Sequence, residues 1–410
     1  MRVLADDLTG AADCATVLGV HGQDASLCLD VNTLNEASDA YSVNLGTRAC
    51  GHPQAVYDIT KKALLALSPP LKGEGPTPYF KVDSTWRSDS VAMALAGMDT
   101  LKPPFVLLCP AFPQEGRTIA GGVAYLHGVP LHQTPLKNDP QHPILTADVQ
   151  VLLETQARAL NRNIRILKGK QISITDIEDA LKIVPQTPLF VVPDVQSLSD
   201  LSHLAEWVAS FETPPLCMGS AGLLDALLCL SPLLEERKSF NFFDSVRERG
   251  EFQEPSVSSI PYNDPLPKEK KRESIQVISG SVNPTTTQQL NMFQTHHPEI
   301  RMLNTASWGT VTDWHERLKE AVAPLLEASN TVTILCGGDT AQAVLEQAGV
   351  NQLKWVKPLS RTCSLWQAVE DDKASRYWVL KSGNMGEADL LVQLVKELYH
   401  AFPLPSAKHL

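Results

Sequence analysis

The segment Ala5-Asp6-Asp7-Leu8-Thr9-Gly10-Ala11-Ala12-Asp13 ends an apolar run in two adjacent carboxylates and opens a helix with Thr-Gly. At the carboxyl edge of a parallel sheet, such a junction presents free helix N–H groups beside acids that can bind a ligand. An N-cap with solvated acids would use the same residues. A second junction, Tyr79-Phe80-Lys81-Val82-Asp83-Ser84-Thr85-Trp86-Arg87, brings Lys81, Asp83, Ser84 and Arg87 close in sequence. On an extended strand Lys81 and Asp83 face the same way, a cation beside a base that together could hold an anion; a structural ion pair is the competing reading. Arg117 lies on the loop after Cys109, stiffened by Pro110 and Pro113, and Arg48 follows Gly46-Thr47. Arginines on loops at one sheet edge suit a carboxylate, which guanidinium binds in bidentate fashion, though any one alone reads as a surface residue.

Three further turns lie toward the C-terminus: Ser279-Gly280-Ser281, Cys336-Gly337-Gly338-Asp339-Thr340 and Lys381-Ser382-Gly383-Asn384-Met385-Gly386. Each follows an apolar run and precedes a helix-like stretch. Glycine lets backbone N–H groups approach phosphate oxygens, so three such turns together favour a nucleotide over three plain strand-to-helix connections. Neither G-x-x-x-x-G-K-[ST] nor G-x-G-x-x-G occurs, and no H-E-x-x-H or C-x-x-C pair suggests a protein metal cage.

These residues need rigid elements to hold them. Apolar runs at Arg2–Ala5, Ser26–Val31, Ser42–Leu45, Tyr79–Val82, Phe105–Cys109, Leu189–Val192 and Leu216–Met218 alternate with helix-like stretches. That alternation predicts an α/β fold with a mostly parallel sheet covered on both faces. Charged, proline-rich residues at 235–273 read as a linker, which divides the chain into a first domain at 1–234 and a second at 274–405. The second restarts with strands at Ile275–Ser279, Thr331–Cys336 and Tyr377–Lys381 and helices from Pro284, Asp339 and Glu387. Lys72–Pro76 reads as an exposed loop and Pro403–Leu410 as a loose tail. A length of 410 residues exceeds what one core usually serves, which agrees with two domains. The net charge of −11 repels polyanions and argues against nucleic acid as the partner. The eight scattered cysteines read as thiols in a reducing compartment. With charge at Arg2, Asp6 and Asp7 and no long apolar segment, the expectation is a cytoplasmic protein without a membrane partner.

Taken in order, Ala5–Asp13, Lys81–Arg87, Pro110–Thr118, Gly128–Leu131, Gly219–Leu223, Gly280-Ser281, Gly337–Thr340 and Lys381–Gly386 resemble the four-carbon acid sugar kinase family over nearly the whole chain. The resemblance implies two three-layer α/β/α domains with mostly parallel sheets and the active site in the cleft between them. It implies ATP-dependent phosphorylation of the O4 hydroxyl of a tetronate or 3-oxo-tetronate, with Mg²⁺. ATP would contact Ser281, Gly337, Gly338, Asp339, Thr340 and Gly383. The sugar acid would lie against Asp7, Arg48, Lys81, Asp83, Arg87 and Arg117, with Lys81 among the catalytic groups, Asp83 the first choice of proton acceptor and Asp7 the second. The chain departs from the family at Ser88-Asp89, where Gly-Asn is usual, at Asn283, where a second serine is common, and at Lys357-Pro358-Leu359-Ser360, where a Pro-Gly turn is expected. The segment between Ser281 and Gly337 also reads as short. A non-catalytic binding protein derived from such a kinase is the rival reading; a nicotinamide-dependent oxidoreductase lacks its glycine fingerprint. The oligomeric state, a homodimer included, stays open.

Overall fold

The computed structural model describes residues 1–33, 40–67, 77–139, 142–170, 172–184, 186–230, 274–308, 311–327, 331–360, 363–369, 376–382 and 385–401. The expected linker at 235–273, the loop Lys72–Pro76, the tail Pro403–Leu410 and Gly383 lie outside the described residues. The chain forms two compact units. One comprises Met1–Val17, Asp30–Asn32 and, among the described residues, 41–230; the other comprises Leu18–Leu29 and, among the described residues, 274–401.

The strands are β1 (Arg2–Ala5), β2 (Ala25–Cys28), β3 (Ala40–Asn44), β4 (Tyr79–Lys81), β5 (Val106–Cys109), β6 (Arg117–Ala120), β7 (Val123–Leu126), β8 (Val129–Pro130), β9 (Arg165–Gly169), β10 (Leu189–Pro193), β11 (Leu216–Gly219), β12 (Ser274–Ser279), β13 (Arg301–Asn304), β14 (Thr331–Cys336), β15 (Gln352–Ser360), β16 (Cys363–Ala368) and β17 (Tyr377–Lys381). In the first unit β3-β1-β4-β11-β5-β10-β9 run parallel in that order. A hairpin sheet β6-β7-β8 follows β5. All residues of β4, β5 and β10 are buried, so side chains pointing to either face are covered, as a parallel sheet with helices on both sides requires. Burial of each Leu, Val or Phe there contributes about 1.5–3 kcal/mol.

The order β3-β1-β4 fixes where the chemistry sits. Ala5 is level with Asn44 on one side and Lys81 on the other, so the segments leaving these three strands emerge side by side at the carboxyl edge. Backbone bonds from Asp6 N–H to the Lys81 carbonyl (3.1 Å) and from Arg48 N–H to the Asp6 carbonyl (3.0 Å) lock them together.

In the second unit β13-β12-β14-β17 are parallel, and β17, β16, β15 and β2 continue antiparallel. Residues Leu18–Leu29, placed by the sequence boundary in the first domain, group with this unit. Here β2 pairs with β15, Leu29 N–H donates to the Asn351 carbonyl (2.9 Å), and Lys354 meets Asp24 at 3.2 Å. Lys357–Ser360 is not a turn but the bulged second half of β15. The core of this unit gathers Val277, Leu290, Phe293, Ile334, Leu365, Val379 and Leu394. Among the described residues no helix is long and apolar enough to cross a membrane.

Candidate active site

In the first unit the strand-end segments form a dense charge cluster. Arg48 is its centre: Nε and Nη2 donate to Asp6 Oδ2 at 3.0 and 2.9 Å, Nη1 donates to Asp7 Oδ2 at 2.7 Å, and Nη2 lies 3.6 Å from Asp83 Oδ1. Asp7 also accepts from the Thr9 hydroxyl (2.6 Å) and the Gly10 N–H (2.8 Å) at the start of the helix Leu8–Val20. A Cβ at Gly10 would stand 2.7 Å from Lys81 Nζ and 2.8 Å from Asp7 Oδ1, so a larger residue would have to push these two side-chain ends aside.

The loop after β4 is organised by Asp83. Its carboxylate accepts from the Thr85 hydroxyl, from the Arg87 N–H (3.1 Å), and from Arg87 Nε (2.9 Å) and Nη2 (3.1 Å). These bonds hold Trp86, a buried bulky residue, at φ 66, a left-handed conformation such side chains rarely take. Arg87 reaches on to Asp139 (3.4 Å), and the His142 ring meets the Arg48 carbonyl. The sequence expectation that Lys81 and Asp83 share a face does not hold, because β4 ends at Lys81 and the chain turns. Asp83 pairs with Arg87 and Arg48, while Lys81 Nζ donates to the Val82 carbonyl (3.0 Å) with Asp6 and Asp7 as its nearest acids.

Ser88, one of the two departures after Arg87, is buried and joins the two acid loops. Its hydroxyl donates to Asp6 Oδ2 and accepts from the Asp83 N–H (2.9 Å), and its carbonyl accepts from Gln156 (2.9 Å). Asp89 is half-buried, and burial raises its carboxyl against the pull of His142 and His52.

Titration separates the carboxylates. Burial works to raise Asp83, but Arg87 and Arg48 outweigh it and hold the carboxyl well below the usual range. Asp7 is lowered in the same way, burial being overcome by Arg48 and Lys81. Asp13, one helical turn beyond Gly10, goes the other way: burial pushes it up to about 7, opposed by Lys81 and reinforced by Asp7 and Glu115. The sequence reading included Asp13 in its motif without giving it a role, and only its surroundings distinguish it. Lys81 is raised, since Asp6 and Asp7 overcome the effect of burial.

The buried atoms of this cluster without a protein partner among the described residues include Asp6 Oδ1, an acceptor, and Arg117 Nε, a donor. Arg117 is 5% exposed; its Nη1 donates to the Glu115 carbonyl at 2.7 Å and meets the Glu115 carboxylate at 3.4 Å, and it feels the charges of Asp83 and Arg87. A buried guanidinium edge and carboxylate oxygen left unbonded are what a ligand bearing both a carboxylate and hydroxyls would satisfy. Asp7, Arg48, Lys81, Asp83 and Arg87 are thus brought into one network, with Arg117 joined to it through Asp83 and Arg87.

In the second unit register does the same work. Ser279 of β12, Cys336 of β14 and Lys381 of β17 are level, so the turns after these strands lie side by side. A Cβ at Gly280 would stand 2.7 Å from Thr340 Oγ1 and 2.9 Å from Thr305 Oγ1, which shows how closely the first two turns approach. Gly337 N–H donates to the Lys381 carbonyl (2.9 Å), joining the second to the third. Ser281 Oγ accepts from Asn283 N–H (3.3 Å), and the Asn283 side chain caps the helix Pro284–His296 through Thr285 N–H (2.9 Å), so asparagine serves this position structurally. Gly337 precedes the helix Gly338–Gln347, whose first turn contains Asp339 and Thr340. Gln289 fixes the segment beyond Lys381 by donating to the carbonyls of Met385, Gly386 and Glu387. Two helix N-termini at one sheet edge offer N–H donors to an anion.

Residues 1–227 match the sugar-binding N-terminal domain family, and residues 312–391 match the nucleotide-binding C-terminal domain family. A Haemophilus influenzae protein named 3-oxo-tetronate kinase is 27% identical over 421 residues, covering 95% of this chain and 97% of that one. A Salmonella typhimurium protein named D-threonate kinase is 27% identical over 229 residues, 55% of this chain and 53% of that one. A solved structure from Salmonella typhimurium LT2 superposes with a TM-score of 0.72 at 21% identity, covering 97% of this chain and 98% of that one, and so shares the fold. With more than half of its length matching the sugar-binding model and a nucleotide-binding domain behind it, the chain belongs to the four-carbon acid sugar kinase family and is a phosphotransferase that acts on an alcohol group.

Proposed function

We propose that this enzyme transfers the terminal phosphoryl group of ATP to the O4 hydroxyl of a four-carbon sugar acid, a tetronate or 3-oxo-tetronate. The observation that carries the acid is the presence of unbonded buried atoms, Arg117 Nε and Asp6 Oδ1, in a cluster where Arg48 and Arg87 are already paired with Asp6, Asp7 and Asp83. A substrate carboxylate would take the Arg117 edge, and a hydroxyl would donate to Asp6. The names of the relatives support the same acceptor class.

The residues divide the work. Arg48, Arg87 and Lys81 neutralise negative charge around the acceptor; Asp7 and Asp83, held low by these cations, act as fixed anions that aim them. The proton acceptors are Asp83 first and Asp7 second, as the sequence order has them, and Asp13 joins them as a third, since a carboxyl near 7 suits a general base. In the second unit Ser281 and the N–H groups of Gly338, Asp339 and Thr340 would hold nucleotide phosphates, with Gly337, whose own N–H goes to the Lys381 carbonyl, opening the turn. Bound Mg²⁺ would neutralise charge on those phosphates, taking oxygen ligands from them and from water. None of the eight cysteines forms a disulfide among the described residues, which suits a cytoplasmic enzyme.

Titration calorimetry with D- and L-threonate, D-erythronate and their 3-oxo forms, on the wild type and Arg117→Met, tests the acid site. The proposal expects one acid to bind and to weaken about 100-fold in Arg117→Met, a charge-assisted bidentate contact being lost, with ADP affinity unchanged. Equal acid affinity in the two proteins would sink the carboxylate assignment.

A further inference from the structure

The last residue of β17, Lys381, is 1% exposed, and among the described residues its ammonium has only neutral partners: the Ser382 carbonyl at 2.7 Å and the Thr286 hydroxyl at 3.4 Å. No carboxylate among the described residues pairs with it. Buried charges in folded proteins are ordinarily paired or shed, because a desolvated ammonium without an anion is costly. An ammonium has three protons to donate, and these two oxygens leave one. Its position is also specific. Lys381 is level with Cys336, and its carbonyl receives the N–H of Gly337, the residue that opens the helix Gly338–Gln347. Thr286, its second partner, stands in the first turn of the helix Pro284–His296. The lysine therefore sits beneath two helix N-termini, both of which favour negative charge.

We propose that Lys381 is a nucleotide phosphate ligand, its missing counter-ion being the polyphosphate of the bound nucleotide. The inference rests on the nucleotide reading of this unit and adds the residue that supplies full positive charge to a site otherwise built of N–H dipoles. Burial lowers the ammonium from its ordinary value, and the neighbouring Cys336 thiol, pushed up by burial to about 12, is neutral at pH 7 and cannot compensate it. An anion drawn into contact would favour the charged form, so phosphate binding and protonation of Lys381 reinforce each other.

Calorimetric affinities of ADP and adenosine for the wild type, Lys381→Met and Lys381→Gln test this. Glutamine keeps a donor for the Ser382 carbonyl but has no charge, so it separates a charge role from a purely structural one. The proposal expects ADP to weaken about 30-fold in both variants, as loss of a charge-assisted phosphate contact would, with adenosine affinity within about two-fold of wild type. Wild-type ADP affinity in Lys381→Gln, equal weakening of ADP and adenosine, or failure of both variants to fold would each overturn it. Wild-type protein that binds no nucleotide would overturn the nucleotide reading itself, a result distinct from the others.

Discussion

Lys81 and Lys381 occupy the same kind of place in the two units and have opposite surroundings. Each is the last residue of a parallel strand, each is buried, and each donates to the carbonyl of the next residue, at 3.0 and 2.7 Å. Around Lys81 stand Asp6 and Asp7, and its pKa is raised; around Lys381 stand thiols and hydroxyls, and its pKa is lowered. One strand end balances its charge internally and leaves only single atoms, Asp6 Oδ1 and Arg117 Nε among them, for a ligand. The other leaves a whole charge unbalanced. The difference matches the two substrates proposed: a small acid with hydroxyls needs directional partners, whereas a polyphosphate needs positive charge and N–H donors.

The contrast can be broken most strongly by truncating both lysines. Lys81→Met strands Asp6 and Asp7 beside Arg48 alone and is expected to destabilise the fold by about 3 kcal/mol in urea unfolding, as removal of one partner of a buried ion group does. Lys381→Met removes a charge with no carboxylate to strand, and the expected cost is under about 1 kcal/mol. Comparable losses from the two would mean that the surroundings do not differ energetically as described.

A smaller effect is expected at Gly10, where the helix Leu8–Val20 meets Lys81 and Asp7. Gly10→Ala pushes on the flexible ends of two side chains, so kcat/KM is expected to fall about 10-fold while stability changes by less than about 1 kcal/mol. A stability loss with unaltered kinetics would show that the close approach serves packing alone.

A further effect is a pH dependence. With Asp13 raised to about 7, the folded state keeps a proton between pH ~4 and 7 that the unfolded chain releases, so stability falls as pH rises through that window and stays lower above it. Asp13→Asn removes the fall. Its Tm is expected to exceed that of the wild type by a few degrees at pH 8 and to equal it at pH 4, and its turnover is expected to be reduced at both. A Tm difference independent of pH would place Asp13 outside the titrating cluster.

Much of this was legible in the sequence. The strands β1, β14 and β17 follow from their apolar runs without adjustment, and Asp7, Arg48, Lys81, Asp83 and Arg87 do meet in one network. Strands β9 (Arg-Ile-Leu-Lys-Gly) and β13 (Arg-Met-Leu-Asn) were illegible because each ends its sheet, is only partly buried, and carries no continuous apolar run. The antiparallel β15 and β16 escaped notice, and β2, expected as the run Ser26–Val31, was placed in the first domain, for a different reason. Pairing between Ala25–Cys28 and residues beyond 350 is a long-range choice that local pattern does not encode. In the site, spacing named the charges but not their partners: the turn at Val82 sends Asp83 to Arg87 and leaves Lys81 to Asp6 and Asp7. Asp13 and Lys381 stand out only through what surrounds them, which appears once the helix and the three strands are assembled.

The measurement that tests the central claim most directly is ADP release from Mg-ATP with D- and L-threonate, D-erythronate and their 3-oxo forms, on the wild type and Arg117→Met. The account predicts turnover on at least one of these acids by the wild type and its loss in the variant, with nucleotide binding intact in both. Nucleotide binding without turnover on any four-carbon acid, or turnover that survives Arg117→Met unchanged, would contradict it.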